Sequence, residues 1–178
     1  MTREELLELI IEVQRRQSEL ADVEVKSAQR GTPQRLFEPL SALTNRMGGG
    51  VMLFGLDENR NFEVVGVGKV HRLQEEISHL AASEMEPALR PEFTVGEIEG
   101  KMVVAVEVCE LSAEQRPCFY KPAGLQRGSY IRVGNTNRQM TDYEIFCYVS
   151  ARTQPTLDEE PVRNATIEDL NQANWTII

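Results

Sequence analysis

An α+β fold, with helices packed on a mixed and largely antiparallel sheet, follows from three features of the chain. The run Val51-Met-Leu-Phe54 is apolar on both faces, the pattern of a strand inside a covered sheet. Residues 93–98 and 102–108 read as two strands joined by Glu99-Gly100, a hairpin turn. Between and around them, several stretches carry apolar residues at helical spacing. The expected core is this sheet with its helices, flanked by an N-terminal helix and a C-terminal extension.

In chain order, Thr2-Arg-Glu-Glu5 is a capping box, and Leu6, Leu9, Ile10 and Val13 follow on one helical face to about Arg16. Asp22-Val-Glu-Val-Lys26 alternates strictly, so a half-buried strand is expected with Val23 and Val25 inward. Gly31-Thr32-Pro33 marks a loop. The next helix starts either at Pro33, with Thr32 as its cap, or near Glu38, because Pro39 would otherwise be interior. Its buried stripe is Leu36, Phe37, Leu40 and Leu43, and the glycines at 48–50 end it.

After the apolar strand, Asp57-Glu58-Asn59 supplies turn chemistry before a second strand at 62–67. Val70, Leu73, Ile77, Leu80 and Ala81 mark a helix stopped by Pro87. The hairpin, a proline- and glycine-punctuated loop and the strand Tyr130-Ile-Arg-Val133 come next. Thr141-Asp-Tyr-Glu144 is a second capping box, predicting a last helix with Ile145, Phe146 and Val149 inward. From Ala151 the chain turns polar and proline-bearing, with a weak helix at 166–171. It stops at Trp175-Thr-Ile-Ile178 without terminal logic. The expected organisation is therefore a helix at 1–16, a domain at 17–150, and a linker or oligomerisation tail at 151–178 leading to an absent C-terminal region.

Composition excludes several classes. With 41% hydrophobic residues the chain can bury a core, yet no apolar run approaches the roughly 18 residues of a membrane span. The acidic start Met1-Thr-Arg-Glu-Glu-Leu is not a signal peptide. Three cysteines without framework spacing favour a reducing compartment, so a cytoplasmic protein is expected. The net charge of −9 argues against nucleic acid, but residues 23–150 carry only −3 of it. Within them, 115–141 holds Arg116, Lys121, Arg127, Arg132 and Arg138 and no acid, while 25–37 adds Lys26, Arg30 and Arg35. Such segments form either a phosphate-binding face or a solvated basic surface.

Several chemistries fall away. The glycine run lacks a following Gly-Lys-Ser/Thr and precedes a strand, so it is no nucleotide loop. Gly66-Val-Gly68-Lys-Val-His71 lacks the third glycine of a dinucleotide fingerprint. His71 and His79 are wrongly spaced for a helical metal pair, and Cys118 has no evident base. No nucleophile triad and no cofactor are expected. If the strands bearing them are neighbours, Glu24 and Asp57 converge, with Glu19 close behind. Three carboxylates near a basic groove are what cleavage of a phosphodiester with Mg²⁺ or Mn²⁺ requires. The same groups would equally serve as surface ion pairs with Lys26 and Arg46.

Ser18-Glu-Leu-Ala-Asp-Val-Glu24-Val-Lys26, Leu40-Ser-Ala-Leu-Thr-Asn45 with Gly49-Gly50, Phe54-Gly-Leu-Asp57 and Val65-Gly-Val67 together resemble the Schlafen/AlbA-like domain. Arg116-Pro-Cys-Phe-Tyr-Lys121 and Gly128-Ser-Tyr-Ile-Arg132-Val-Gly134 add to the resemblance, which covers roughly residues 17–150. It implies an α+β domain at the N-terminus of longer bacterial proteins, described as transcriptional regulators or as ATP-dependent DNA helicase-related proteins of the RecG-related label. It also implies binding of DNA or RNA, and dimers. Some mammalian members are ribonucleases whose pattern of two Glu and one Asp falls on Glu19, Glu24 and Asp57. Val25 stands where the family usually carries an aromatic residue between its Glu and Lys, and the mammalian enzymes pair two lobes in one chain, so binding is the implied role before cleavage.

The leading expectation is thus a nucleic-acid-binding module, for DNA first, of a transcriptional regulator, acting as a homodimer without membrane contact and not as an enzyme. Its phosphate contacts are expected at Lys26, Arg30, Arg35 and Arg46, and at Lys121, Arg127, Arg132 and Arg138, helped by the amides of Gly48, Gly49 and Gly50. Tyr120 and Tyr130 are candidates for base stacking, with core packing the commoner use of Tyr130. A metal-dependent nuclease using Glu19, Glu24 and Asp57, and a protein-interaction or oligomerisation module, are the alternatives.

Overall fold

The computed structural model describes residues 1–152. Its helices are α1 (Arg3–Arg16), α2 (Phe37–Thr44), α3 (Val70–His79), α4 (Gly124–Gly128) and α5 (Asp142–Arg152). Its first five strands are β1 (Val23–Lys26), β2 (Gly50–Phe54), β3 (Leu56–Asp57), β4 (Glu63–Val64) and β5 (Met85–Glu86). The rest are β6 (Glu92–Ile98), β7 (Lys101–Val108), β8 (Phe119–Tyr120), β9 (Tyr130–Val133) and β10 (Thr136–Gln139). The main sheet has the order β1-β2-β7-β6. Strand β1 runs parallel to β2, and the other two pairings are antiparallel. This is the mixed, largely antiparallel α+β arrangement that the sequence predicts. The tail expected beyond 152, with its helix at 166–171, lies outside the described residues.

The interior position of β2 explains its uniform hydrophobicity. Met52 and Phe54 pack with α2, α3 and the Val104 and Val106 side chains of β7. Leu53 turns to the other face, against Leu6, Ile10 and Val13 of α1, Val23 and Val25 of β1, and Val103. Two apolar layers therefore sandwich one sheet, and all of these side chains are buried. At α1 both halves of the expected capping box form, between Thr2 and Glu5. Glu99 and Gly100 both adopt positive φ, 52° and 73°, which matches the twist of a tight β6–β7 hairpin.

Helix α2 begins at Phe37, the later of the two expected starts, so Pro39 falls in its first turn, where a backbone N–H would have no intrahelical acceptor and its absence costs no helix bond. Several other expectations need correction. The strand expected over 62–67 forms only at Glu63–Val64. Strand β1 is covered on both faces, because the Glu24 side of it lies under β9 and β10 and Glu24 is itself buried. On α5 the capping box at Thr141 and Glu144 forms, but only Ile145 turns inward. Phe146 is 66% and Tyr143 75% exposed, and Val149 is exposed too.

Candidate nucleic-acid interface

The topology sorts the expected site residues between the two ends of β2. Because β1 and β2 are parallel, their C-terminal ends emerge on one side, with Ser27-Ala-Gln-Arg30 following the first and Asp57-Glu-Asn-Arg60 the second. In a sheet, the carboxyl ends of neighbouring parallel strands leave a natural crevice, since the chains diverge there into separate connections. Here the crevice encloses about 500 Å³ and is lined by Gln29, Arg30, Pro33, Asp57, Asn59 and Arg60, among others. Arg30 is exposed and makes no ion pair among the described residues. Arg60 has only a loose one, 3.5 Å from Glu63, with both side chains more than half exposed. The Asp57 carboxylate accepts a 3.0 Å hydrogen bond from the Asn59 N–H and so stiffens the turn that presents Arg60.

Beside the crevice lies a buried charge cluster. Arg132 of β9 has a side chain only 1% exposed, and every donor direction is occupied. Nη1 donates to Glu24 and to Asn137 Oδ1 at 2.9 Å; Nη2 donates to Glu19 Oε2 at 3.0 Å and to the Val23 carbonyl at 2.7 Å. Lys26 Nζ lies 2.7 Å from Glu24 and 3.8 Å from Glu58. Glu19 Oε1 accepts from the Val25 N–H at 2.7 Å, blocking the open edge of β1. Three carboxylates thus face two cations. Burial and a hydrogen bond with Glu58 push the Glu19 carboxyl up to about 7, with Glu24 adding to the rise and the Val25 amide opposing it. One shared proton resolves the excess negative charge.

This arrangement bears on the carboxylate trio. Glu19 and Glu24 do meet, at Arg132, but the third acid beside them is Glu58, while Asp57 faces the crevice. The oxygens that a divalent ion would need already carry a guanidinium and an ammonium. Among the described residues no group of three or more acids, cysteines or histidines is arranged to hold a metal. The donor set therefore does not fit Mg²⁺ or Mn²⁺, and its chemistry is that of a structural ion cluster.

The expected phosphate contacts separate in the same way. Arg132 must be corrected outright: it is a buried tie between β9 and β1. The glycine amides are corrected as well. Gly48 N–H donates to Glu110, Gly49 N–H to the Arg46 carbonyl at 3.2 Å, and a Cβ on Gly49 would lie 2.2 Å from the Val108 carbonyl oxygen. Gly49 and Gly50 let neighbouring backbones touch, at Val108 and Asp22, and leave no room there for a ligand, while the amide of the exposed Gly48 is taken by Glu110. Arg46 caps the same turn through the carbonyls of Met47 and Gly49. Arg35 pairs with Glu38, Lys121 with Glu86 at 3.9 Å and Arg138 with Glu144, all at partly exposed positions, and Lys26 belongs to the cluster. Arg127 is exposed and unpaired among the described residues. Tyr130 is 7% exposed and belongs to the core.

Arg60 was missed in the sequence, although a turn after a strand parallel to its neighbour is the signal that marks it. Ser41 and Asn45 were missed in another sense, as their part in the motif was visible but its purpose was not. Asn45 Nδ2 donates to the carbonyls of Cys118 (2.9 Å) and Tyr130 (3.0 Å), and Oδ1 accepts from the Cys118 N–H. Ser41 Oγ donates to the Cys118 carbonyl and accepts from the Tyr130 N–H. Ser41 of α2 and Asn45 at its C-terminal cap thereby hold the chain before β8 and the start of β9, and so fix the segment between them that carries Lys121 and Arg127.

The family model described as Schlafen, AlbA_2 matches residues 19–141. In structure, the chain resembles the N-terminal domain of a protein from Nitrosomonas europaea named as ATP-dependent DNA helicase RecG-related. That match has 27% identity and a TM-score of 0.55, over 75% of this chain and 92% of that one. A second likeness, to the DIP2311 protein of Corynebacterium diphtheriae, has 18% identity and a TM-score of 0.55 over 85% of this chain. It spans 29% of that protein and shares the fold. No protein of curated function matches the sequence. With the matched region covering the whole main sheet, the helices α2, α3 and α4 and the charge cluster, the chain belongs to the Schlafen AlbA_2 family.

Proposed function

We propose that this chain is a nucleic-acid-binding module, for DNA in the first place, and that it serves a transcriptional regulator. The observation that carries the proposal is the crevice at the ends of β1 and β2, where Arg30 and Arg60 stand over a polar floor without strong internal partners. A guanidinium free of buried partners can exchange water and a loose ion pair for phosphate oxygens at little cost. Membership of the AlbA_2 family and the likeness to the N-terminal domain of a protein named as DNA-helicase RecG-related support the same reading. The exposed Tyr143, Phe146 and Val149 of α5 favour pairing with a second copy of the chain, and the reading places the protein in the cytoplasm.

Fluorescence anisotropy of labelled duplex DNA across a salt series tests this. Binding is expected with a slope of about −0.9 in log K against log[salt] for each phosphate neutralised, and Arg30→Ala should reduce that slope. Absence of binding at low salt overturns the proposal. Sedimentation tests the pairing: a wild-type dimer that becomes a monomer in Phe146→Glu is expected.

A further inference from the structure

Resting on the nucleic-acid reading above, we infer that the strand held by this module is single-stranded, with an unpaired base stacked on an aromatic platform formed by Phe37 and Tyr120. The two rings lie parallel, with centroids 4.2 Å apart and planes 13° from coincidence. Tyr130 meets Phe37 edge-on at 6.0 Å and completes the packing below. Tyr130 is the core member of the three, whereas Phe37 and Tyr120 are only half-buried, so an aromatic stack reaches the surface.

Its surroundings are cationic. The Arg35 guanidinium lies 5.9 Å from the Phe37 centroid, and Lys121 follows Tyr120 directly in the chain. Arg127, on the short helix α4 that packs beside β8, is exposed and unpaired among the described residues. The acids nearby are already engaged: Glu38 with Arg35, Glu86 with Lys121, and Glu84 with the Tyr120 hydroxyl. Such exposed pairs are weak and yield to phosphate.

Connectivity puts the platform and the crevice at the same end of the molecule. The chain leaves β1 at Lys26, passes Arg30, opens α2 at Phe37 and runs back to the start of β2 at Gly50. The N-terminal end of α2 must therefore lie near the C-terminal ends of β1 and β2, where Arg30 and Arg60 stand. A backbone lying over the crevice thus needs only a few nucleotides to bring a base to Tyr120. In a duplex both faces of each base are already stacked, and only an unpaired base can use such a surface.

Comparing three probes at low salt tests the inference on the full chain: an oligothymidylate of about twelve nucleotides, the same phosphodiester length made of abasic sites, and a duplex. The thymidylate is expected to bind about tenfold more tightly than the abasic strand, and Tyr120→Leu, which keeps apolar bulk, to erase that difference. Arg30→Ala should weaken the two single strands by the same factor. In Tyr120→Trp, the indole emission added over that of the native Trp175 should be quenched by the thymidylate and not by the abasic strand, a readout that a merely structural role would not give. Equal affinity for thymidylate and abasic strand in the wild type overturns the platform and leaves the phosphate crevice standing. Failure of all three probes to bind overturns the nucleic-acid reading itself.

Discussion

The two ends of β2 differ in sequence, and the fold reverses what each of them suggests. At its start stand three glycines beside Arg46, a pattern that invites a bound phosphate. At its end stands Asp57-Glu-Asn-Arg60, which looks like an ordinary turn. In the folded chain the glycine end is closed, with its amides bonded to Glu110 and the Arg46 carbonyl and Gly49 pressed on the Val108 backbone. The turn end is open, and Arg60 faces Arg30 across a polar crevice. Glycine permits close approach, and what approaches is decided by topology. At the start of β2 the antiparallel β7 closes in, whereas at its end the parallel β1 diverges.

Removing the buried tie beside the open end should have the largest effect. Arg132→Met leaves Glu19 and Glu24 buried without their guanidinium and should lower stability by about 4 kcal/mol in urea denaturation. A loss below about 1 kcal/mol would mean that the cluster is solvated and that Arg132 remains available to a ligand. Next comes the closed end. Gly49→Ala introduces a Cβ 2.2 Å from a backbone oxygen at φ +68° and should cost more than about 2 kcal/mol. DNA affinity per folded molecule should stay unchanged, and a selective loss of affinity would reopen the glycine end as a binding site.

The sheet, the α1 capping box, the β6–β7 hairpin and the inner role of β2 were legible because each rests on a local signal: a period, a cap or a turn. Charges were not legible in that way. Arg132 and Arg127 are five residues apart in one acid-free segment, yet one is buried among acids drawn from residues 19–24 and the other is in solvent. An ion pair over more than a hundred residues of chain leaves no local trace. Glu24 shows the same limit from the other side, since strict alternation predicts an exposed carboxylate, and only the packing of β9 and β10 over β1 buries it. Ser41 and Asn45 were visible as part of a family motif, but their partners are backbone groups at 118 and 130, which no side-chain pattern records.

A smaller effect should appear as a pH dependence at the cluster. The Glu19 carboxyl is raised from an ordinary 4.5 to about 7, so the folded chain holds this proton more tightly than the unfolded one. The stability it contributes is complete below pH 4.5 and is lost as pH rises through about 7. Glu19→Gln has no such proton to release, so its denaturation midpoint should fall less than that of the wild type between about pH 5 and pH 8. Parallel curves would mean that Arg132 keeps Glu19 ionised throughout, and the open end would then border on a fully charged cluster.

The smallest effect on stability belongs to the residue on which the comparison most depends. Arg30→Ala touches no buried group and no ion pair among the described residues, so its stability should lie within about 0.5 kcal/mol of the wild type. Its salt slope on duplex DNA should nevertheless fall by about 0.9, one phosphate contact. Arg60→Ala should lower the slope by less, because Glu63 already neutralises part of the charge that Arg60 offers to a phosphate. The informative result is the ratio between the two chemistries. Gly49→Ala should unfold without altering recognition, and Arg30→Ala should alter recognition without unfolding. If both variants moved both quantities together, the two ends of β2 would not be separate in function, and the crevice would be a consequence of packing instead of a site.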